Sequence, residues 1–214
     1  MGQTSKTLII LDMDGTLYDL DGKGGKYQGS TLQKAVLGNA VGFLSTLSKQ
    51  SEKDAKKEID ECLLSKRPLS GYFAKRYNLT RSEYFDIVWN IPPSGIVKHE
   101  HDFASIIKNL QKNGIHFVLI TESPAVWQKQ IFKFLKLERD WFIDIFTGEM
   151  FLAKGEVMQD ITKKVKAEVV YSIGDQYETD IKPAEDLGYK TKEVKNSHET
   201  YQFMLELEKL LSLS

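Results

Sequence analysis

Two aspartates, two positions apart, end the first apolar run of this chain: Thr7-Leu8-Ile9-Ile10-Leu11 stops in Asp12-Met13-Asp14-Gly15-Thr16. A second run, residues 169–173, ends in Gly174-Asp175, with Asp180 five residues on, and a third, Ile115 to Ile120, ends in Thr121-Glu122-Ser123-Pro124. Carboxylates gathered at strand ends suit a hard divalent cation such as Mg2+, which takes oxygen ligands and keeps waters for a substrate phosphate. Asp12, Asp14 and Asp175 supply that charge. A carboxylate beside such an ion also serves as a nucleophile toward phosphorus, dividing a slow hydrolysis into two steps through an aspartyl-phosphate. Asp12, at the strand end itself, takes that role. Asp14 reaches the far side of the same phosphoryl group as general acid and then general base. Lys154 and the Thr121 hydroxyl hold the non-bridging oxygens, where charge gathers in the transition state.

Each piece taken alone has a plainer reading. Asp14-Gly15 and Gly174-Asp175 are common turn pairs, and Thr121 reads equally as the N-cap of a helix starting near Pro124. Lys154 resembles the solvated Lys163, Lys164 and Lys166, and Asp180 suits the first turn of a helix. Their shared position outweighs these readings, because in an open parallel sheet the ligand binds beyond the carboxyl ends of the strands.

The elements that would position them are set by the hydrophobic pattern. Continuous apolar runs at residues 7–11, 115–120 and 169–173, with a weaker one at 189–194, predict strands buried on both faces of a parallel sheet. Helix-period stripes separate them: Phe103, Ile106, Ile107 and Leu110; then Val126, Trp127, Ile131, Phe134 and Leu135; then Val157, Met158, Ile161 and Val165. This order predicts an α/β fold, a Rossmann-like doubly wound parallel sheet. Residues 18–93 break the pattern with apolar positions three and four apart, among them Leu32, Val36, Ala40, Phe43 and Leu47. They predict an inserted α-helical domain, punctuated by the Gly22 to Gly25 loop and by Pro92-Pro93-Ser94-Gly95. Residues 1–17 and 94–214 then form the core.

With these motifs in place, the sequence resembles the haloacid dehalogenase-like hydrolase superfamily. Asp12-Met13-Asp14-Gly15-Thr16-Leu17-Tyr18 is similar to the first family motif, Thr121 after Phe117-Val118-Leu119-Ile120 to the second, and Gly174-Asp175 with Thr179-Asp180 to the fourth. Lys154-Gly155 stands where the third commonly reads Lys-Pro, which leaves Lys154 or a later lysine for that role. The resemblance implies a Rossmann-like core, a Mg2+ cofactor and an aspartyl-enzyme intermediate. It puts the metal on Asp12, the Asp14 backbone carbonyl and Asp175, with Asp180 as an outer partner orienting Asp175 or a metal water. An insert directly after the first motif resembles the helical cap of the pyrimidine 5'-nucleotidase and phosphoglycolate phosphatase-like branches. Its Lys66, Arg67, Lys75 and Arg76 are candidates to reach an anionic substrate, and otherwise are solvated surface charge.

These residues predict a Mg2+-dependent phosphatase acting on a small phosphate monoester. A phosphomutase with the same phospho-aspartate chemistry and a non-catalytic phospho-ligand binding protein of the same fold stay as alternatives. Haloacid dehalogenation is disfavoured by Asp14, since halide displacement needs neither acid nor metal. A signalling receiver module lacks a counterpart here, because no aspartate ends the 115–120 run. With 29 Lys plus Arg against 30 Asp plus Glu, net charge −1, the chain lacks the positive footprint expected of a nucleic-acid binder. The longest uncharged stretch, residues 35–48, is too short and too polar for a membrane span. Lys6 stands where a myristoylation start wants Ser or Thr, and Cys62 is a single cysteine, so a cytoplasmic location is expected.

Overall fold

The computed structural model describes residues 6–65 and 68–212. The apolar run at the start forms β1 (Thr7–Leu11), and parallel strands β2 (Ile115–Ile120), β3 (Asp144–Phe146), β4 (Val169–Gly174) and β5 (Lys190–Glu193) complete one sheet in the order β3-β2-β1-β4-β5. Register is continuous at the centre: Leu11 lies beside Leu119 of β2 and Ile173 of β4. Side chains alternate along β1, so Ile9 and Leu11 enter one core and Leu8 and Ile10 the other. Both faces are thus covered, which is why the buried positions Leu8 to Leu11 carry no polar side chain.

Helices α5 (Phe103–Lys112), α6 (Ala125–Leu135) and α9 (Ser197–Ser212) cover the Ile9 and Leu11 face, and α7 (Lys154–Val165) and α8 (Lys182–Asp186) the other. The expected stripes are buried: Phe103, Ile106, Ile107 and Leu110 on α5, and Met158, Ile161 and Val165 on α7. β3 is absent from the sequence reading because three residues beginning with an aspartate give no apolar run. β5 carries Lys190, Thr191, Lys192 and Glu193, an open edge whose only apolar cues, Tyr189 and Val194, flank it.

Between β1 and α5 the described residues form four α-helices, α1 (Thr31–Ser48), α2 (Glu52–Leu64), α3 (Leu69–Tyr77) and α4 (Arg81–Val88). Ser30, Ser51 and Thr80 cap three of them, Thr80 in a reciprocal capping box with Glu83. The buried line of α1 runs Leu32, Val36, Ala40 and Leu44, keeping the i+4 step, rather than turning to Phe43 and Leu47. The two chain crossings into this block pair with each other: the Asp19 N–H donates to the Lys98 carbonyl and the Lys98 N–H to the Asp19 carbonyl, both at 2.9 Å. The Asp19 carboxylate also accepts from the backbone N–H (2.9 Å) and hydroxyl (2.7 Å) of Ser197 at the start of α9. The exit pairing lies at Lys98, beyond the Pro92 to Gly95 turn. No described helix is long and apolar enough to cross a membrane.

Candidate active site

Strand order reverses at β1: β2 and β3 lie to one side, β4 and β5 to the other. Helices there leave toward opposite faces, and the crevice beyond the carboxyl ends of β1 and β4 is where such a fold binds ligands. A cavity of about 370 Å3 occupies it, lined by Asp12, Asp14, Asp175, Lys26, Tyr27 and Trp89 among others. Asp12 continues β1, its N–H donating to the Ile173 carbonyl of β4 at 3.0 Å. Asp175 comes directly after β4, and Asp180 returns on a π-helical turn, Tyr177–Ile181, whose Asp180 N–H donates to the Gln176 carbonyl at 2.9 Å.

Two glycines permit this convergence. Gly15 has φ +76°, and a Cβ there would stand 2.8 Å from the Asp175 carboxylate. A Cβ on Gly174 would stand 2.4 Å from Cβ of Asp180. Side chains at either position would push the carboxylates apart.

Asp12, Asp175 and Asp180 are all buried, and each offers a carboxylate oxygen within 4.8 Å of the others. The sequence expectation is a metal on Asp12, the Asp14 backbone carbonyl and Asp175 with Asp180 as an outer partner; the structure brings the Asp180 carboxylate into the same group, within 4.8 Å of Asp12 and Asp175. The π turn carries Asp180 back to the end of β4, where its Oδ2 accepts from the Gln176 N–H at 3.0 Å. Lys154, the first residue of α7, lies behind the cluster and donates to Oδ1 of Asp12 at 2.7 Å and Oδ1 of Asp180 at 2.5 Å. Burial alone would draw its ammonium down, but the two carboxylates outweigh that and hold it above the ordinary lysine range. Asp12 is pushed well above the usual carboxylate range by burial, aided by Asp180 and Asp14 and opposed by Lys154. Asp175 is raised to about 6, again chiefly by burial and by Asp180, with Lys26 pulling the other way.

The Asp14 carboxylate stands apart and is gripped from two sides. Oδ1 accepts from the Tyr18 hydroxyl and from Nε1 of Trp127 at 3.2 Å; Oδ2 accepts from the Ser123 hydroxyl at 2.7 Å and that of Thr121 at 3.4 Å. Trp127 Nε1 also donates to the Tyr18 oxygen at 2.8 Å. Thr121 caps no helix, since α6 begins after Pro124; its hydroxyl instead accepts from the Ser123 N–H at 3.1 Å. Thr121 thereby ties the end of β2 to Asp14.

The sequence reading did not single out Lys26, Tyr27 and Trp89, which reach the cavity from the glycine-rich loop and the far end of α4. Tyr27 and Trp89 stack, ring centroids 5.5 Å apart. Trp127, expected on a buried helix stripe, and Tyr18, at the end of the first motif, turn out to hold Asp14. Of the four insert cations, Lys75 and Arg76 line a separate groove with Tyr72 and Gly71, Arg76 pairing with Glu58 at 3.2 Å. Lys66 and Arg67 lie outside the described residues.

No family model and no curated protein matches this chain. Solved structures do. A phosphatase of the haloacid dehalogenase class from Thermococcus onnurineus aligns with TM-score 0.62 at 16% identity, covering 96% of this chain and 97% of that one. A predicted phosphatase from Clostridium acetobutylicum gives TM-score 0.54 at 18% identity, covering 99% and 100%. A magnesium complex of a family enzyme from Bacteroides thetaiotaomicron gives 0.50 at 13% identity, covering 90% and 95%. This chain has the haloacid dehalogenase-like fold. Within that fold, the expected strand ends carry Asp12, Thr121 and Asp175, and α7 begins with Lys154.

Proposed function

We propose that the protein is a Mg2+-dependent phosphatase that hydrolyses a small phosphate monoester through a phospho-aspartate on Asp12. The observation that carries this reading is the buried cluster of Asp12, Asp175 and Asp180 at the switch point, with Asp14 held separately across the same cavity. Three buried carboxylates with one buried lysine between two of them are short of positive charge. Oδ1 of Asp175 is buried and finds no hydrogen-bond donor among the described residues. An oxygen-seeking divalent cation fits that donor set, and Asp12, Asp175 and Asp180 are the side chains that would hold it. When bound, the ion supplies charge neutralisation for the carboxylates and for an incoming phosphate dianion. The magnesium in the Bacteroides thetaiotaomicron complex agrees with this choice of ion.

The chain's own residues then divide the work. An Asp12 carboxylate oxygen attacks phosphorus and the bond from phosphorus to the ester oxygen breaks, while Asp14 in its acid form gives that oxygen its proton. Asp14, now ionised, takes a proton from water as the water oxygen attacks the phospho-aspartate. The bond between phosphorus and Asp12 breaks, releasing inorganic phosphate and restoring the Asp12 carboxylate. Tyr18 and Trp127 fix the Asp14 carboxylate from one side, and Ser123 and Thr121 from the other. The volume of the cavity, about 370 Å3, supports a small metabolite as substrate. Purified protein should release phosphate from an aryl phosphate with Mg2+ and stop with a chelator. Full turnover in chelator, or chloride release from a haloacid, would overturn the reading.

A further inference from the structure

Away from the carboxylate cluster, the described residues form a larger groove of about 780 Å3, within the size range of small-molecule sites. It runs along α6, the segment that follows it, and β3, and it shares no described lining residue with the cavity of Asp12, Asp14 and Asp175. Phe132, Leu137 and Ile145 give it an apolar floor, and the exposed Met150 adds an apolar flank. Two polar side chains are set among them. Gln128 is 6% exposed and Thr147 4%, and neither side chain makes a hydrogen bond among the described residues. Their polar atoms are not sealed in, so they open on the groove that they line. Buried polar groups ordinarily have partners, so these two have bonding capacity left for a ligand.

The charge around this groove is one-sided. In a chain of net charge −1, four cations line it against a single carboxylate, that of Glu138. Arg139 is already committed, to the Phe142 carbonyl at 2.8 Å and to Asp144 at 3.2 Å. Lys129 and Lys133 lie one turn apart on α6 and Lys136 caps its C-terminus; all three are exposed and form no ion pair among the described residues. An anion placed beside them gains charged hydrogen bonds while its apolar body covers the floor.

We propose that this groove is a binding site for a small organic anion, a carboxylate or sulfonate on an aliphatic or aromatic frame. The frame rests on Phe132, Leu137 and Ile145, Gln128 and Thr147 supply hydrogen bonds, and Lys129, Lys133 and Lys136 hold the acid group. Floor, polar partners and cations all fall within one groove of small-molecule volume, which favours such a ligand over the broad surface that a stable protein partner covers. The site stands independently of the phosphatase reading, since it shares no residue with the carboxylate cluster.

The test is fluorescence titration of the folded full chain with anilinonaphthalene sulfonate, and separately with phenylnaphthylamine, the same frame without its sulfonate. Wild type should bind one sulfonate per chain, release it to decanoate, and prefer it to the neutral frame by about tenfold or more, the range of a charged hydrogen bond. Lys129→Met/Lys133→Met should weaken the sulfonate by about tenfold to a hundredfold and hold the neutral frame within about threefold of wild type. Lys53→Met/Lys57→Met, which removes two exposed charges from α2, should leave both affinities unchanged. A thermal melt checks each variant, and Lys129→Gln/Lys133→Gln replaces the Met pair if its melt is lost. The assignment is overturned by a wild type that binds no sulfonate or binds both frames equally, by a sulfonate affinity in the Met pair within about threefold of wild type, or by equal weakening in the α2 pair. An acidic decapeptide that displaces the dye at lower concentration than decanoate would give the groove to a protein segment. A dimer in sedimentation that the Met pair dissolves would give it to a second copy of the chain. Either result overturns the small-anion site. A protein that binds the sulfonate as described but hydrolyses no ester would keep this site and sink the phosphatase reading.

Discussion

Asp175→Asn, which removes a charge with little change of shape, is expected to stabilise the metal-free protein near pH 7.5. Asp175 is 5% exposed, its Oδ1 lacks a donor among the described residues, and its carboxyl is raised from the ordinary 3.8 to about 6. A raised carboxyl means that the folded chain keeps a proton that the unfolded chain has already released. The resulting penalty is absent below pH ~4, accrues as pH rises from ~4 to ~6, and is complete above ~6. Two pH units correspond to about 3 kcal/mol, which is the most that neutralisation can return. For a chain of this length that is a rise in Tm of roughly 6–10 °C. Thermal melts of both proteins in chelator, at pH 7.5 and pH 4.5, measure it, and the gap should shrink at the lower pH. Added Mg2+ should raise the wild-type Tm and leave the variant nearly unmoved, because an ion that binds only the folded state stabilises by mass action. A variant that melts at or below wild type at pH 7.5 without metal, or a gap unchanged at pH 4.5, would refute the reasoning.

Lys154→Met should act in the opposite direction, costing about 3–5 kcal/mol at pH 7.5 because Asp12 and Asp180 are left buried without their counter-ion. The same melts should show part of that loss returning with Mg2+ and at pH 5. Trp127→Phe removes the Nε1 donor to Asp14 and Tyr18, so kcat on an aryl phosphate should fall about tenfold to a hundredfold with KM little changed. Steady-state kinetics below the melting range separates that effect from lost packing.

Much of this site is legible in sequence because strand ends are. β1, β2 and β4 are buried on both faces, so their apolar runs stand out, and the residues just past those runs fall at one edge of the sheet: Asp12, Thr121, Asp175. Lys154 is findable as the start of α7, but its burial between two carboxylates is not, since nothing local separates it from the solvated lysines later in the helix. Lys26 and Tyr27 come from a glycine-rich loop and Trp89 from just past α4, so only tertiary packing brings them to the end of β4. Tyr18 and Trp127 carry apolar rings that suit a core; the hydroxyl and indole N–H that face Asp14 leave no periodic signal. β3 fails for a different reason, as a three-residue edge strand beginning with an aspartate buries too little to need an apolar pattern, whereas β5 is legible, more weakly, from Tyr189 and Val194 at its flanks.

Trapping the covalent intermediate tests the central claim most directly. Wild-type protein mixed with a labelled phosphate ester and Mg2+, quenched in acid within milliseconds and digested, should carry label transiently on the peptide containing Asp12, and Asp12→Asn should carry none and turn over no ester. Label on another residue, turnover retained in Asp12→Asn, or rapid hydrolysis with no labelled protein at any time would contradict the account.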